Sequence, residues 1–350
     1  MGRQVSQTVS GMPIPQIATR STSCSTGEQE RGRRCVTVII VNWNSGTLLA
    51  KCMEFIRKQT MQPDHIVIVD NASMDDSVAT LETYDRVTVR VSNVNLGFAA
   101  GNNLALAECD TEFVALLNPD AFPKEDWLER LMASADTHSH IAMFGSRQLC
   151  QDRLDVLDGI GDLYHWSGLV LRNRHSMRQC DADLISREIF SPCAAAALYR
   201  RQALVDAGGF DEDYFCYVED VDLGFRLRLA GHKAIYVPDA VVHHVGSGTT
   251  GGQHSDFAMY HGHRNLVWTF VKDVPGILFW LLLPLHVVMN LATILWFALK
   301  GQGGVILRAK RDALLRLPKM WRKRQAIQST RIATVREIWR LMDKHVVPTK

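Results

Sequence analysis

Short apolar runs alternate with helix-period stretches through the first structured part of the chain. The continuous run VTVIIV (36–41) predicts a strand that is buried on both faces. A helical pattern from Thr47 to about Lys58 follows it after a polar turn. Three more strands are predicted for HIVIVD, RVTVRV and EFVALL, at residues 65–70, 86–91 and 112–117. Because strands and helices alternate at this spacing, the sequence predicts an α/β fold with a mostly parallel sheet.

Polar residues stand where these predicted strands end, namely Asn42, Asp70, Asn95 and Asp120. In open α/β sheets, ligands bind beyond the carboxyl ends of the strands. Turns also favour Asn and Asp for purely local reasons, so any one of these residues alone would indicate a turn. Four of them at successive strand ends favour a binding site.

Two common nucleotide-binding folds fit the sequence poorly. A dinucleotide-binding turn needs glycines spaced GxGxxG, and the turn after the first strand, NWNSGT, has one glycine. The GxxxxGK[ST] pattern of a phosphate-loop NTPase is also missing from the sequence. Both alternatives are therefore weak.

The stretch YVEDVDLGFRL (217–227) places three carboxylates within four positions. Like charges this close repel, so the cluster gains no stability without compensation. The apolar residues alternate as in a strand but also fit helix faces, and the early carboxylates and Gly231 favour a helix from about Asp220 to Ala230. Asp222 and Arg226 are then spaced for a structural ion pair. The alternative for the cluster is a solvated helix start with capping carboxylates.

Charge and cysteine content exclude some classes of function. The chain has 39 Lys and Arg against 37 Asp and Glu, so it lacks the overall positive charge that is typical of nucleic-acid-binding proteins. The eight cysteines are scattered without zinc-ligand spacing, which is typical of a reducing cytosolic compartment. Residues 1–34 lack the apolar run of a signal sequence and are predicted to be a disordered arm.

Several motifs together resemble a known family. In chain order they are VNWNSG, VIVDNASMDDS, NLGFAAGNN, LLNPDAF and GGFDEDYFCYVEDVDLGFRLRLAGHKAIYVPDAVVHHVGSGT. Over roughly residues 35–250 the chain resembles the family 2 glycosyltransferases, and within them the bacterial rhamnosyltransferase-like branch that builds cell-surface polysaccharides. The resemblance implies a GT-A fold, a mostly parallel sheet flanked by helices, and inverting transfer of a sugar from a nucleotide donor.

The resemblance also implies roles for individual residues. Asp70 resembles the residue that reads the nucleotide base, and Asp220, the second residue of the Glu-Asp pair, resembles the general base. Glu219 is expected to orient the acceptor, with Asp222 and Arg226 as support. The remaining residues expected to contact the nucleotide-sugar are Asn42, Asn71, Asn95, Gly97, Asn102, Asn103 and Asn118.

A divalent metal, Mg²⁺ or Mn²⁺, is the expected cofactor. Asp120 in NPD resembles the last carboxylate of the family's metal-binding DxD motif, although NPD supplies one carboxylate where DxD supplies two. A few carboxylates plus substrate phosphates commonly suffice for Mg²⁺. The family also has a histidine near the diphosphate, and AVVHHVGSGT offers His243 and His244. Since successive strand residues face opposite ways, only one can point into the site, and we expect His243.

The implied reaction is rhamnosyl transfer from dTDP-L-rhamnose to a lipid-linked glycan. A UDP-sugar donor such as UDP-galactofuranose remains open, because Asp70 can pair with the imide of thymine or uracil. A catalytically inactive membrane scaffold is the alternative of a different class. The middle of the chain, residues 146–190, either shapes an acceptor pocket or merely connects elements.

The region after the predicted enzyme domain suggests a membrane surface. A connector is predicted for residues 251–274, followed by a membrane-associated segment and basic helical tail at 275–350. The stretch 275–299 has no Asp, Glu, Lys or Arg and is long enough to span a bilayer. A basic tail is retained on the cytoplasmic side and attracted to anionic lipid. We therefore expect Pro284 to break the segment into a re-entrant or in-plane helix pair on the cytoplasmic face of the bacterial inner membrane, with a single span as the alternative.

Overall fold

The central sheet is built on the buried strands that the sequence predicts. The computed structural model describes residues 35–81, 86–246, 252 and 255–345; the predicted N-terminal arm lies outside this range. The strands are β1 (Val36–Asn42), β2 (His65–Asp70), β3 (Val87–Val91), β4 (Phe113–Leu117), β5 (Ala121–Pro123), β6 (Ile141–Cys150), β7 (Arg153–Gly159), β8 (Asp162–Tyr164), β9 (Val170–Arg172), β10 (Arg187–Glu188), β11 (Ala196–Arg200) and β12 (Lys233–His244).

Ten helices accompany these strands within the described residues. They are α1 (Leu48–Arg57), α2 (Gly97–Leu106), α3 (Trp127–Thr137), α4 (Arg201–Asp206), α5 (Glu219–Leu229), α6 (Asp256–Asp273), α7 (Gly276–Leu299), α8 (Gly303–Leu315), α9 (Leu317–Ser329) and α10 (Val335–Leu341). The early elements match the predicted ones to within one or two residues. The acidic cluster starts α5, so the helical interpretation of that stretch is confirmed.

The main sheet has the order β10-β12-β6-β11-β4-β1-β2-β3, with β5 and β7 pairing at β12 and β6. β1 runs parallel to β2 and β4, and β2 runs parallel to β3. β11 is antiparallel to both of its neighbours, β4 and β6. The parallel half places the carboxyl ends of β1, β2 and β4 at one edge, which is where a ligand site is expected.

Helices cover both faces of the sheet, as continuously apolar strands require. Alternate residues of β1 pack on opposite sides: Val38 and Ile40 join a core with α1 and α3, whereas Ile39 joins a core with α2 and α5. A third apolar cluster joins α5 to the C-terminal helices through residues such as Phe225, Trp268 and Met320. The segment predicted as a connector thus contains α6, which packs against α5.

α7 is one continuous helix of 24 residues with Pro284 inside it. The predicted break at Pro284 is therefore wrong. A proline removes one helical hydrogen bond, but neighbouring side chains hold this helix in place. Leu282 packs into the third core, and the His286 ring hydrogen-bonds the Ser167 carbonyl at 2.8 Å.

Candidate active site

A cavity of about 460 Å³ opens at the carboxyl ends of the parallel strands. Its walls come from the ends of β1, β2 and β4, the start of α2, and the start of α5. The predicted site residues that line it are Asn71, Asn95, Gly97, Asn118, Asp120, Glu219 and Asp220. The fold therefore brings the predicted donor loops, the predicted metal carboxylate and the predicted base into one space.

The donor side of the cavity is a loop braced by asparagine side chains. The Asn71 amide donates to the Gly97 carbonyl at 3.0 Å, and its oxygen accepts from the Leu96 N–H at 2.7 Å. Asn95 Oδ1 accepts from the Gly97 N–H at 2.9 Å. Gly97 has φ +80°, which favours glycine, and a Cβ there would lie 2.5 Å from the Phe215 carbonyl oxygen.

Asn42 and Asp70 lie next to the cavity but are not among its lining residues. The buried Asn42 amide donates to Asp70 Oδ1 at 3.1 Å and to Ser77 Oγ at 2.9 Å, so Asn42 holds Asp70 in place. Asp70 directly precedes the cavity residue Asn71. The contact of Asp70 with the base of the nucleotide remains a prediction.

Asn102 and Asn103 face away from the cavity, contrary to expectation. The Asn102 amide donates to the Phe98 carbonyl of its own helix at 2.8 Å. The Asn103 amide donates to the Phe210 carbonyl at 2.9 Å and its oxygen accepts from the Phe210 N–H at 2.8 Å. Both residues lie between one and two turns into α2, beyond the helix start that meets the cavity, so they support the wall rather than form it.

Asp220 presents a carboxylate to the cavity from the first turn of α5. One oxygen accepts from the Ala194 N–H at 3.2 Å and the other from the Val221 N–H at 2.9 Å. Beside it, burial and the charge of Asp220 raise the pKa of Glu219 well above its usual range. The raised pKa favours the protonated form of Glu219, which is the form that can donate a hydrogen bond inside the cavity.

Asp222 points away from the cavity into the protein. It is fully buried and pairs with Arg226 at 2.9 Å, so the predicted structural ion pair is confirmed. It also pairs with the buried Lys272 of α6. The three carboxylates of the cluster thus separate into two that face the cavity and one that anchors the helix.

His244, not His243, faces the predicted metal carboxylate. Its Nε2 lies 3.2 Å from Asp120 Oδ1, and its Nδ1 lies 2.9 Å from Asp158 Oδ2. Burial alone would lower the pKa of His244, but these two carboxylates outweigh burial and raise it to about 10. His243 points the other way, and burial and Lys124 lower its pKa. The choice of His243 was wrong because β12 shifts register against β6 between Val237 and Val241, which alternation along the sequence cannot reveal.

The donor set at this point suits a divalent ion. Asp120 offers a carboxylate, and His244 would offer Nε2 after a metal ion displaces its proton. The Asp158 carboxylate holds the other ring nitrogen, as carboxylates commonly do for metal-binding histidines. No group of three or more Asp, Glu, His or Cys side chains able to hold a metal occurs within the described residues. Phosphate oxygens of the substrate would therefore complete the coordination.

The middle of the chain contributes residues that the sequence did not single out. Asp158 at the end of β7 and Arg172 at the end of β9 both line the cavity. Arg172 Nε donates to Asp162 Oδ1 at 2.8 Å, and a Cβ at Gly159 would lie 2.2 Å from the Arg172 side chain. Burial raises the pKa of Asp162 to about 7, against the opposing effect of Arg172. The expectation that residues 146–190 shape an acceptor pocket or connect elements names neither Asp158 nor Arg172.

The loop before α5 is strained. Phe215, Tyr217 and Val218 all have positive φ, at 66°, 65° and 69°, although none is glycine. Such conformations cost about 1–3 kcal/mol each and persist where surrounding structure enforces them. The same loop lines the cavity between the donor wall and Asp220.

The sequence matches known glycosyltransferases. Residues 37–207 match the family described as Glycosyl transferase family 2. The chain is 26% identical over 255 residues to an N-acetylglucosaminyl-diphospho-decaprenol L-rhamnosyltransferase of Mycobacterium tuberculosis, covering 64% of this chain and 80% of that protein. It is 27% identical over 214 residues to the O-antigen chain rhamnosyltransferase WbaN of Salmonella anatum, covering 59% of this chain and 65% of that protein.

A solved structure shares the fold. The mannosyltransferase PcManGT from Pyrobaculum calidifontis, in complex with GDP-Man and Mn²⁺, superposes with a TM-score of 0.53 at 18% identity and covers 88% of both chains. The expected GT-A architecture is thereby confirmed. With the family match and the cavity that joins donor loops to Asp220, the chain is identified as a glycosyltransferase that carries a family 2 domain.

Proposed function

We propose that the protein is an inverting rhamnosyltransferase that moves L-rhamnose from dTDP-L-rhamnose onto a lipid-linked glycan in cell-surface polysaccharide synthesis. The observation that carries the proposal is the single cavity that Asp220 shares with the donor loop and the Asp120–His244 pair. The rhamnosyltransferases among its relatives favour rhamnose as the sugar, and one of them is named for a lipid-diphosphate acceptor.

On the donor side, Asn71, Asn95 and Gly97 form the wall along which the nucleotide would lie. Asp120 and His244 would hold Mg²⁺ or Mn²⁺, which supplies positive charge against the leaving diphosphate. Asp158 keeps the His244 ring oriented toward that position.

On the acceptor side, Asp220 takes the proton of the acceptor hydroxyl while the oxygen of that hydroxyl bonds to the anomeric carbon of the donor sugar. The bond from that carbon to the diphosphate oxygen breaks on the opposite face, so the configuration inverts. In its protonated form, which the raised pKa favours, Glu219 can donate a hydrogen bond to the acceptor without adding a second negative charge beside the base. Arg172 and the aromatic residues Phe215 and Tyr217 line the remaining wall, where an acceptor sugar would rest.

The C-terminal helices are proposed to lie on a membrane surface. α7 is the one helix within the described residues that is long and apolar enough to cross a membrane, and only 22% of its most apolar window is buried. Outward-facing side chains such as Trp280, Leu281 and Leu299 are 59%, 65% and 79% exposed. An apolar face this large on a soluble protein marks a contact with lipid or protein.

The packing of α7 favours an in-plane helix over a crossing. Near its start, Phe279 contacts Phe270 of α6, and near its end Phe297 contacts His263 of α6. α7 therefore lies along α6, whose buried charged residues belong to the enzyme core. Exposed basic side chains follow on α8 and α9, suited to the anionic cytoplasmic leaflet: Arg308, Arg311, Arg316, Lys319 and Arg322.

The test is incubation of the purified protein and a lipid-diphosphate glycan acceptor with a panel of nucleotide-sugars, followed by assay of nucleoside diphosphate release. We expect acceptor-dependent release of TDP from dTDP-L-rhamnose. Release of UDP from UDP-galactofuranose or another UDP-sugar would instead show that the donor is a UDP-sugar, and the proposed mechanism would stand. Turnover of no donor, by a folded protein that carries Mn²⁺, would support the inactive scaffold.

A further inference from the structure

Three buried side chains of α6 contact the strained loop that leads into α5, and a fourth contacts α5 itself. Asn265, Thr269 and Lys272 are fully buried, and Arg264 is nearly so. Asn265 Nδ2 lies 3.0, 3.0 and 2.7 Å from the carbonyl oxygens of Tyr214, Cys216 and Tyr217. One amide group thus faces three carbonyls of the segment in which two residues have positive φ.

The neighbours of Asn265 bind the same segment. Arg264 Nη2 donates to the Tyr214 carbonyl at 2.8 Å and its Nε donates to Asn265 Oδ1 at 3.0 Å, which fixes the direction of the amide. Thr269 Oγ1 lies 2.9 Å from the Tyr214 hydroxyl. Arg264, Asn265 and Thr269 thus direct their hydrogen bonds to the same short segment, Tyr214 to Tyr217.

A buried ionic contact ties the same helix to α5. Lys272 bonds to Asp211 at 2.6 Å and pairs with Asp222, two residues beyond the base. Asp211 also pairs with Lys323 of α9. Burial and the charge of Asp222 raise the pKa of Asp273 well above its usual range, which favours the neutral form of Asp273 beside Lys272. The base-bearing turn is therefore held from both sides by helices that lie beyond the family match at 37–207.

We propose that α6 is the positioning element of the catalytic base, and that Asn265 is its principal positioning residue. By holding the carbonyls of Tyr214, Cys216 and Tyr217, Asn265 keeps the loop in its strained form and Asp220 aimed at the acceptor hydroxyl. Asn265 is not among the residues that line the cavity. This inference rests on the proposed function of Asp220 as the base.

Asn265→Ala removes the amide donor, so the loop relaxes and Asp220 shifts relative to the acceptor. A misplacement of about 1 Å costs on the order of 100-fold in rate. We expect kcat for transfer to fall by about 10- to 100-fold, with donor affinity changed less than about threefold. The ratio of sugar transfer to donor hydrolysis should fall as well, which a loss of folded protein would not cause. Asn290→Ala, which removes an amide bonded to its own helix at His286, is the matched control.

A double-mutant cycle separates this inference from the proposed function. If Asn265 acts through Asp220, Asn265→Ala should have little further effect in an Asp220→Asn background. An equal 10- to 100-fold loss in both backgrounds would overturn the positioning role while leaving the base in place. Full activity of Asp220→Asn itself would instead overturn the proposed base.

If the alanine variant does not fold, the same comparison is made with Asn265→Ser, which is shorter than asparagine but keeps one hydroxyl donor at the buried position. A kcat equal to that of the unmodified protein in a folded variant at this position would also overturn the inference.

Discussion

Asp220→Asn keeps the shape of the side chain but removes its ability to take a proton. Losing a positioned general base lowers the rate by about 10²- to 10⁴-fold. The carboxylate accepts from the Ala194 and Val221 N–H groups, and an asparagine can accept from only one of them. Losing a hydrogen bond to a charged group costs about 1.5–3 kcal/mol of stability, so unfolding must be measured beside activity.

The assay is release of nucleoside diphosphate with saturating donor and acceptor, paired with calorimetric titration of the donor. We expect kcat to fall into the stated range while the donor dissociation constant stays within about threefold, because Asp220 acts on the acceptor. Glu219→Gln is the matched comparison, since the raised pKa favours the uncharged form of Glu219 and glutamine is uncharged as well. Its loss in kcat should be below about tenfold.

Two results would refute this reasoning. If Asp220→Asn retained more than about a tenth of the turnover, Asp220 would not be the base. If Glu219→Gln instead lost about 10²-fold or more with donor affinity intact, the proton would go to Glu219.

Three further predictions concern the metal, the donor wall and the membrane. His244→Ala should lower the Mn²⁺-dependent activity by at least about 10-fold, as the loss of residues at a metal site commonly does, whereas His243→Ala should stay near the original level. Titration of activity with Mn²⁺ after chelation checks this, and full activity in excess chelator would contradict it. Gly97→Ala should weaken donor binding and lower the unfolding temperature, because its Cβ would meet the Phe215 carbonyl at 2.5 Å; unchanged binding would refute the tight contact. Replacing Trp280 and Leu281 by serine should reduce flotation with anionic vesicles while activity on a water-soluble acceptor remains, and equal flotation would argue against an in-plane helix.

The sequence predicted the parallel half of the fold because its strands are continuous apolar runs with polar ends. β1 and β2 have the expected bounds to within one residue, and the cavity lies at their carboxyl ends. α5 was recoverable because carboxylates and a glycine mark its ends. Each of these signals lies within a few residues of the element that it predicts, so a single sequence is enough to find it.

The parts that failed depend on contacts between distant residues. The sequence does not tell which of His243 and His244 faces the site. The register of β12 shifts against β6 between Val237 and Val241, and the pattern of residues along β12 does not show this shift. Pro284 was expected to break α7, whereas contacts with Ser167 and the third core hold the helix together. Arg172 gains meaning only through Asp158 and Asp162, which lie 14 and 10 residues away along the chain.

The left-handed residues ahead of α5 set stability and activity against each other. Glycine at Val218 would relieve the conformational cost of a β-branched side chain at φ 69°, by about 1–2 kcal/mol. The same change would loosen the loop that α6 holds beneath Asp220. Selection of variants for heat resistance alone would therefore favour glycine at Val218 and lower the rate of transfer in doing so. At Phe215 and Tyr217 the ring contacts with Phe257 and His261 oppose the same change.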